Sequence, residues 1–144
     1  MNNIQDILEE VATSLDRKIP SELREKLKSK GYRQELFDSV GRTAFLDPDN
    51  QKFPVKDEKG KYICQLIYAA YLRAKMNIGR KNNVPDSYYQ SISQKAKILF
   101  KSNKCDESMR ITLHEGDDLD CVSFFELFDL SNIKNNELFR YIED

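Results

Sequence analysis

The stretch Tyr62–Asn77 limits what this chain can fold into more than any other part of it. Ile63, Leu66, Ile67, Ala70, Tyr71 and Ala74 recur there at three- and four-residue steps, which lays a broad apolar stripe along one helix, with Gly79 near its end. A stripe that broad puts this helix at the centre of a core, and the other elements are expected to arrange themselves around it.

Those elements are mostly helical by the same reasoning. Ile4, Ile7, Leu8, Val11 and Leu15 give a first amphipathic helix from about Asn3 to Leu15. Pro20 and Ser21 open a second, from Ser21 to Lys30, which ends in a Lys-rich turn with Gly31 as a left-handed cap. Tyr32, Leu36, Phe37 and Val40 form a short third helix closed by Gly41. Pro85 and Asp86 start another, in which Tyr88, Tyr89, Ile92, Ala96, Leu99 and Phe100 hold helical spacing to about Lys101. Arg110 to His114 reads as a short strand, Leu119 to Leu130 as a Phe-rich helix, and Asn135 to Tyr141 as a short terminal helix. The expectation is a mainly α fold, a compact bundle of about five to seven short helices with an extended Pro-containing loop and at most a minor β element. A length of 144 residues suits one domain, with N-terminal helices over 1–42, a central module over 43–104 and a C-terminal segment over 105–144.

The loop lies between Arg42 and Lys61. Pro48 and Pro54, with Asp and Asn neighbours, exclude a regular helix and predict a turn at Asp47 to Asn50, an extended Lys52 to Lys56 segment and a turn near Gly60. Phe45, Leu46, Phe53 and Val55 make it an ordered loop, buried most simply against the helix that follows.

Charge is distributed unevenly along the chain. The net charge is -1, yet residues 1–40 carry 7 basic and 8 acidic side chains, residues 41–104 carry 13 and 5, and residues 105–144 carry 3 and 11. In the basic block Lys52, Lys56, Lys59 and Lys61 cluster in the loop, Arg73, Lys75, Arg80 and Lys81 follow the central helix, and Lys95, Lys97, Lys101 and Lys104 line the next. With Tyr62, Tyr88 and Tyr89 interleaved, this block has the elements of a phosphate-neutralising, base-stacking surface. The other reading is a solvated face balanced by the acidic block, and a net charge near zero removes the long-range attraction that nucleic-acid binders use. Asp117, Asp118 and Asp120, leading into Phe124, Phe125 and Phe128, read either as an acidic face in water or as carboxylates that dock on the basic block of a neighbouring copy.

Nothing in the sequence assembles a catalytic centre. His114-Glu115-Gly116-Asp117-Asp118 lacks the second histidine of a zinc-protease helix and the alternating ligands of a calcium loop, and reads as a turn capping the helix near Leu119. Cys64, Cys105, His114 and Cys121 contain none of the close ligand pairs of structural zinc sites. The three cysteines are odd in number and widely spaced, which predicts free thiols in a reducing compartment. No apolar run is long enough to span a bilayer, and Met1 to Glu10 lacks the features of a signal peptide. No catalytic, cofactor-binding or metal-binding residue and no membrane partner are therefore expected.

The segment Thr43-Ala44-Phe45-Leu46-Asp47-Pro48, then Lys52-Phe53-Pro54-Val55, then Leu66-Ile67-Tyr68-Ala69-Ala70-Tyr71-Leu72-Arg73-Ala74 resembles a small module found in proteins of tailed phages and other large DNA viruses. There an aromatic-leucine-Pro element leads to a Lys/Arg-aromatic-Pro-Val/Ile element and an Ala-rich helix ending in Arg-Ala. Ile92 to Phe100 corresponds to its second helix, so the resemblance covers residues 43–100. It implies viral origin, and a loop whose prolines hold Phe45 and Phe53 against the Ala-rich helix. The expected function is a non-enzymatic virion- or assembly-associated bacteriophage protein that contacts other viral proteins or copies of itself, in the host cytoplasm or the virion. The alternative is a small nucleic-acid-binding or host-modulating protein. Lys52, Lys56, Lys59, Arg73, Lys75, Arg80 and Lys81 are the candidate partner or nucleic-acid contacts, and Asp117, Asp118 and Asp120 the candidate acidic contacts.

Overall fold

Gly31 makes the first corner. In the computed structural model, which describes residues 21–79, 83–105, 110–112 and 118–120, this glycine has φ +86°, a left-handed conformation that a Cβ disfavours. It separates helix α1 (Ser21–Lys28) from helix α2 (Tyr32–Val40). Glu22 in the first turn of α1 and Lys26 and Lys28 in its last turn suit the helix dipole. A single 3-10 turn (Arg42–Ala44) leads to β1 (Phe45–Asp47) and β2 (Lys52–Pro54), followed by α3 (Cys64–Asn77), α4 (Asp86–Ser102), β3 (Arg110–Thr112) and β4 (Asp118–Asp120). The described chain is mainly helical, with four helices and short antiparallel strand pairs. The expected helices at Asn3–Leu15 and Asn135–Tyr141 lie outside the described residues.

Helix α3 is enclosed on every side rather than along one stripe. The seven residues from Leu66 to Leu72 are all buried, two full turns of helix, and so is Ala74. Ala69, Ala70 and Ala74 keep parts of its surface thin enough for neighbours to approach closely. Helix α4 packs along it, antiparallel, so that Ala74 near the end of α3 meets Tyr89 and Ile92 near the start of α4. Tyr89, Ile92, Ser93, Ala96 and Phe100 form the buried face of α4. Leu66 and Ala69 receive Leu23 and Leu27 of α1. The turn between the long helices is tied by the Gly79 amide, which donates to the Asp86 carboxylate at 3.0 Å.

The Pro-containing segment is a hairpin. The two expected turns are present, one over 48–51 and one closed by the Gly60 amide donating to Asp57 O at 3.0 Å, whereas the extended stretch expected over Lys52 to Lys56 is interrupted at Phe53. It also contains strand pairing that the sequence reading left as loop, with Phe45 opposite Pro54 and Asp47 opposite Lys52. Pairing settles backbone groups that a loop carrying this many buried apolar residues could not leave unmet. Phe53 has φ +60°, unusual for an aromatic residue. It is held there by packing on the Ala74, Tyr89 and Ile92 cluster, with its ring 6.4 Å from that of Tyr88. Phe45 takes a different place from the one expected, in a cluster with Tyr32, Leu36 and Ala44 of α2 and the 3-10 turn.

Two expectations are corrected. Cys64 and Cys105 are not free thiols but a disulfide, with Cα atoms 5.5 Å apart and Cys105 fully buried. Sequence separation hid the pair, because the antiparallel packing of α3 and α4 brings the start of one helix to a residue three positions beyond the end of the other. The disulfide also removes both thiols from any metal-ligand set and weakens the inference of a reducing compartment. The second correction concerns the start of the helix expected over Leu119 to Leu130, of which residues 121–130 lie outside the described residues: Leu119 and Asp120 belong to β4, which pairs with β3 through Ile111↔Leu119 and Arg110↔Asp120. The alternation Asp118-Leu119-Asp120 has a two-residue period, and pairing with β3 satisfies it better than a helical start. Asp118 therefore pairs with Thr112 instead of capping a helix.

A candidate partner-binding groove

Helix α4 buries the residues at 89, 92, 93, 96 and 100, which leaves position 98 pointing away from the core. An isoleucine occupies it and is 60% exposed. Beside Ile98 runs an open groove of about 300 Å³ between α4 and the hairpin region. Lys95, Ile98 and Leu99 of α4 form one wall. Thr43, Phe45 and Leu46 form the other, and Tyr62 also lines it. The surface is thus mostly apolar, with cations at its border.

Lys56 provides the best-placed of these cations. Its Nζ donates to Thr43 Oγ1 at 2.9 Å and stands 4.5 Å above the centre of the Tyr62 ring. A Lys56↔Tyr62 bridge fixes the backbone on both sides of this contact. The turn between them is set by Asp57, whose Oδ1 accepts from the Lys59 and Lys61 amides, each at 2.9 Å. Lys95 and Lys101 stand three residues before and after Ile98 on α4, close to one helical turn in each direction.

The hairpin wall is anchored through Asp47, which is only 9% exposed. Its Oδ2 accepts from Asn50 Nδ2 at 3.0 Å and from the hydroxyl of Tyr88, and its Oδ1 accepts from the Asn50 amide at 3.4 Å. Burial works against the Asp47 charge, but hydrogen bonds from Tyr88 and Asn50 and the nearby Lys52 outweigh it and hold the carboxyl below its usual range. Burial, and then the Asp47 carboxylate, raise Tyr88 well above an ordinary phenol. The pair binds β1 to the first turn of α4.

The sequence-predicted contacts are dispersed. Lys52 and Lys59 are exposed, while Lys56 borders the groove. Arg73 and Lys75 are partly buried on α3, and the Arg73 charge, after burial itself, lowers the pKa of Arg33. Arg33 in turn donates to Gln51 O at 2.9 Å, pinning the hairpin turn to α2. Arg80, Lys81 and Asp117 lie outside the described residues; Asp118 and Asp120 lie on β4. Of the tyrosines expected to stack on bases, Tyr89 is buried and Tyr88 is engaged with Asp47 and Phe53. Sequence reasoning missed Ile98, although a signal was there: it stands two residues from both Ala96 and Phe100 and falls off the apolar stripe of α4. Among the described residues no group of His, Cys, Asp and Glu is arranged to hold a metal ion, and no helix is long and apolar enough to cross a membrane. In comparisons with protein families, curated proteins and solved structures, the chain matches none.

Proposed function

We propose that this chain is a non-enzymatic, virion- or assembly-associated viral protein that works by binding other proteins through the groove beside Ile98. The observation that carries this reading is the combination of an exposed isoleucine, an apolar groove and a positioned lysine over an aromatic ring, which together suit an acidic segment bearing apolar side chains. Viral, and specifically phage, origin rests on the resemblance of residues 43–100 to the viral module. The bundle of five to seven helices belongs to the same reading, with the helices at 3–15 and 135–141 added to the four described. Of the two locations, virion and host cytoplasm, the Cys64–Cys105 disulfide favours the virion, since disulfides persist in oxidising surroundings.

Nucleic-acid binding is the alternative. The exposed Lys52, Lys59, Lys101 and Lys104 support it, and the engagement of Tyr88 and Tyr89 in packing counts against it. Mass spectrometry of purified particles of the encoding virus tests the first reading, which expects the protein at stoichiometric level. Its absence from particles, together with binding to DNA or RNA that weakens steeply with salt, would replace that reading by the second.

A further inference from the structure

We infer that the groove beside Ile98 receives the acidic, phenylalanine-bearing segment 117–129 of a second copy of this chain, an inference that rests on reading the groove as a protein-binding surface. The chain carries the complement of its own groove. Asp117, Asp118 and Asp120 are followed within eight residues by Phe124, Phe125 and Phe128, so carboxylates and aromatic anchors arrive together. The groove offers the matching pair: Lys56 and Lys95 at it, with the exposed Lys101 about one helical turn beyond Ile98, and Phe45, Leu46 and Ile98 along it. In the single chain Ile98 is left 60% exposed, and burying it is the gain that a second copy supplies.

Electrostatics favours a protein occupant from the same source. Each copy has a net charge of -1, so two copies barely repel at long range, while the basic and acidic blocks attract wherever they come within about 10 Å of each other. Nucleic acid would meet that same near-neutral molecule without long-range attraction. Because groove and segment are different parts of the chain, two arrangements satisfy the contact. Two copies exchanging segments reciprocally close into a two-fold dimer, whereas one-way exchange builds a longer assembly.

The test uses full-length protein and light scattering behind size exclusion at about 50 mM and 500 mM salt, a range over which exposed charge pairs are strongly screened. Wild type is expected at twice or more the 16.9 kDa of one chain at low salt, dissociating at high salt. Ile98→Asp should weaken self-association at least about tenfold. The decisive comparison pairs Lys56→Glu/Lys95→Glu/Lys101→Glu with Asp117→Lys/Asp118→Lys/Asp120→Lys. Each triple variant alone is expected to be a monomer, and their mixture to associate unless Ile98→Asp is added to both, a dependence that neither misfolding nor the opposite net charges of the two variants can imitate. Wild type that stays at the mass of one chain at low salt and high concentration, or a mixture that does not associate, overturns the inference. The protein-binding reading stands or falls separately: presence in particles with a monomeric wild type would keep that reading and discard the second copy as occupant.

Discussion

Breaking the link between Cys64 and Cys105 should cost this small domain a large part of its stability. The two cysteines are 41 residues apart, so the bond closes a long loop in the unfolded chain. Chain-entropy reasoning for a loop of that length gives about 4 kcal/mol. Whole domains are commonly stable by only about 5–15 kcal/mol. Cys64→Ala/Cys105→Ala is the suitable variant, because serine at position 105 would place a hydroxyl where the native side chain is fully buried. With a urea slope of about 2 kcal/mol per molar, the midpoint should fall by about 2 M, read by far-ultraviolet circular dichroism. Reductant should bring wild type to the same midpoint, and thiol titration in denaturant should count two more thiols after reduction than before. Equal midpoints with and without reductant, and an unchanged thiol count, would refute the reasoning. That result would return both cysteines to the free state suggested by their spacing.

Further perturbations probe other elements. Tyr88→Phe removes one donor from the buried Asp47 carboxylate and should destabilise by about 1–3 kcal/mol in the same unfolding assay. The pH dependence has a definite sign: the folded pKa of Asp47 is depressed, so its contribution is present above the unfolded value of about 3.9 and is lost as pH falls through the folded value. Asp47→Asn should therefore flatten the decline of the urea midpoint below about pH 4, compared with wild type. Gly31→Ala meets no atom within 4 Å, so its cost is backbone strain at φ +86° alone, about 1–2 kcal/mol by thermal or urea unfolding. Ala74→Leu forces three extra heavy atoms into the contact between α3, Tyr89 and Ile92 and should destabilise by about 1–3 kcal/mol.

The elements readable from the sequence were those with a local cause. Gly31 and Pro85 mark real helix boundaries, and Asp47 to Asn50 marks a real turn, because each depends on backbone preferences within a few residues. Features set by distant neighbours were not readable. Cys64 meets Cys105 only because two helices run antiparallel, and no spacing rule encodes that. The enclosure of α3 was understated for a similar reason: Tyr68 and Leu72 lie off the periodic stripe and are buried by neighbours on the other side. Phe45 was assigned to the following helix by proximity in sequence, yet it joins Tyr32 and Leu36, which precede it. The groove falls between these cases. Ile98 carries a local signal that the sequence reading missed, an apolar residue off the stripe of its helix, while the opposite wall, Thr43 to Leu46, becomes its neighbour only through the hairpin.

The left-handed Phe53 has a consequence for how other chains can approach. A two-stranded hairpin ordinarily offers an outer strand whose free amides and carbonyls invite a further strand, the route to sheet extension and to aggregation. Strand β2 is a poor template for that: Phe53 turns the backbone out of the extended conformation at φ +60°, and Pro54 has no amide hydrogen to give. A visiting chain is denied a regular backbone ladder along β2 and has to be recognised by its side chains. On the β2 side, the hairpin thus brings β structure to a helical protein without the stickiness of an open edge.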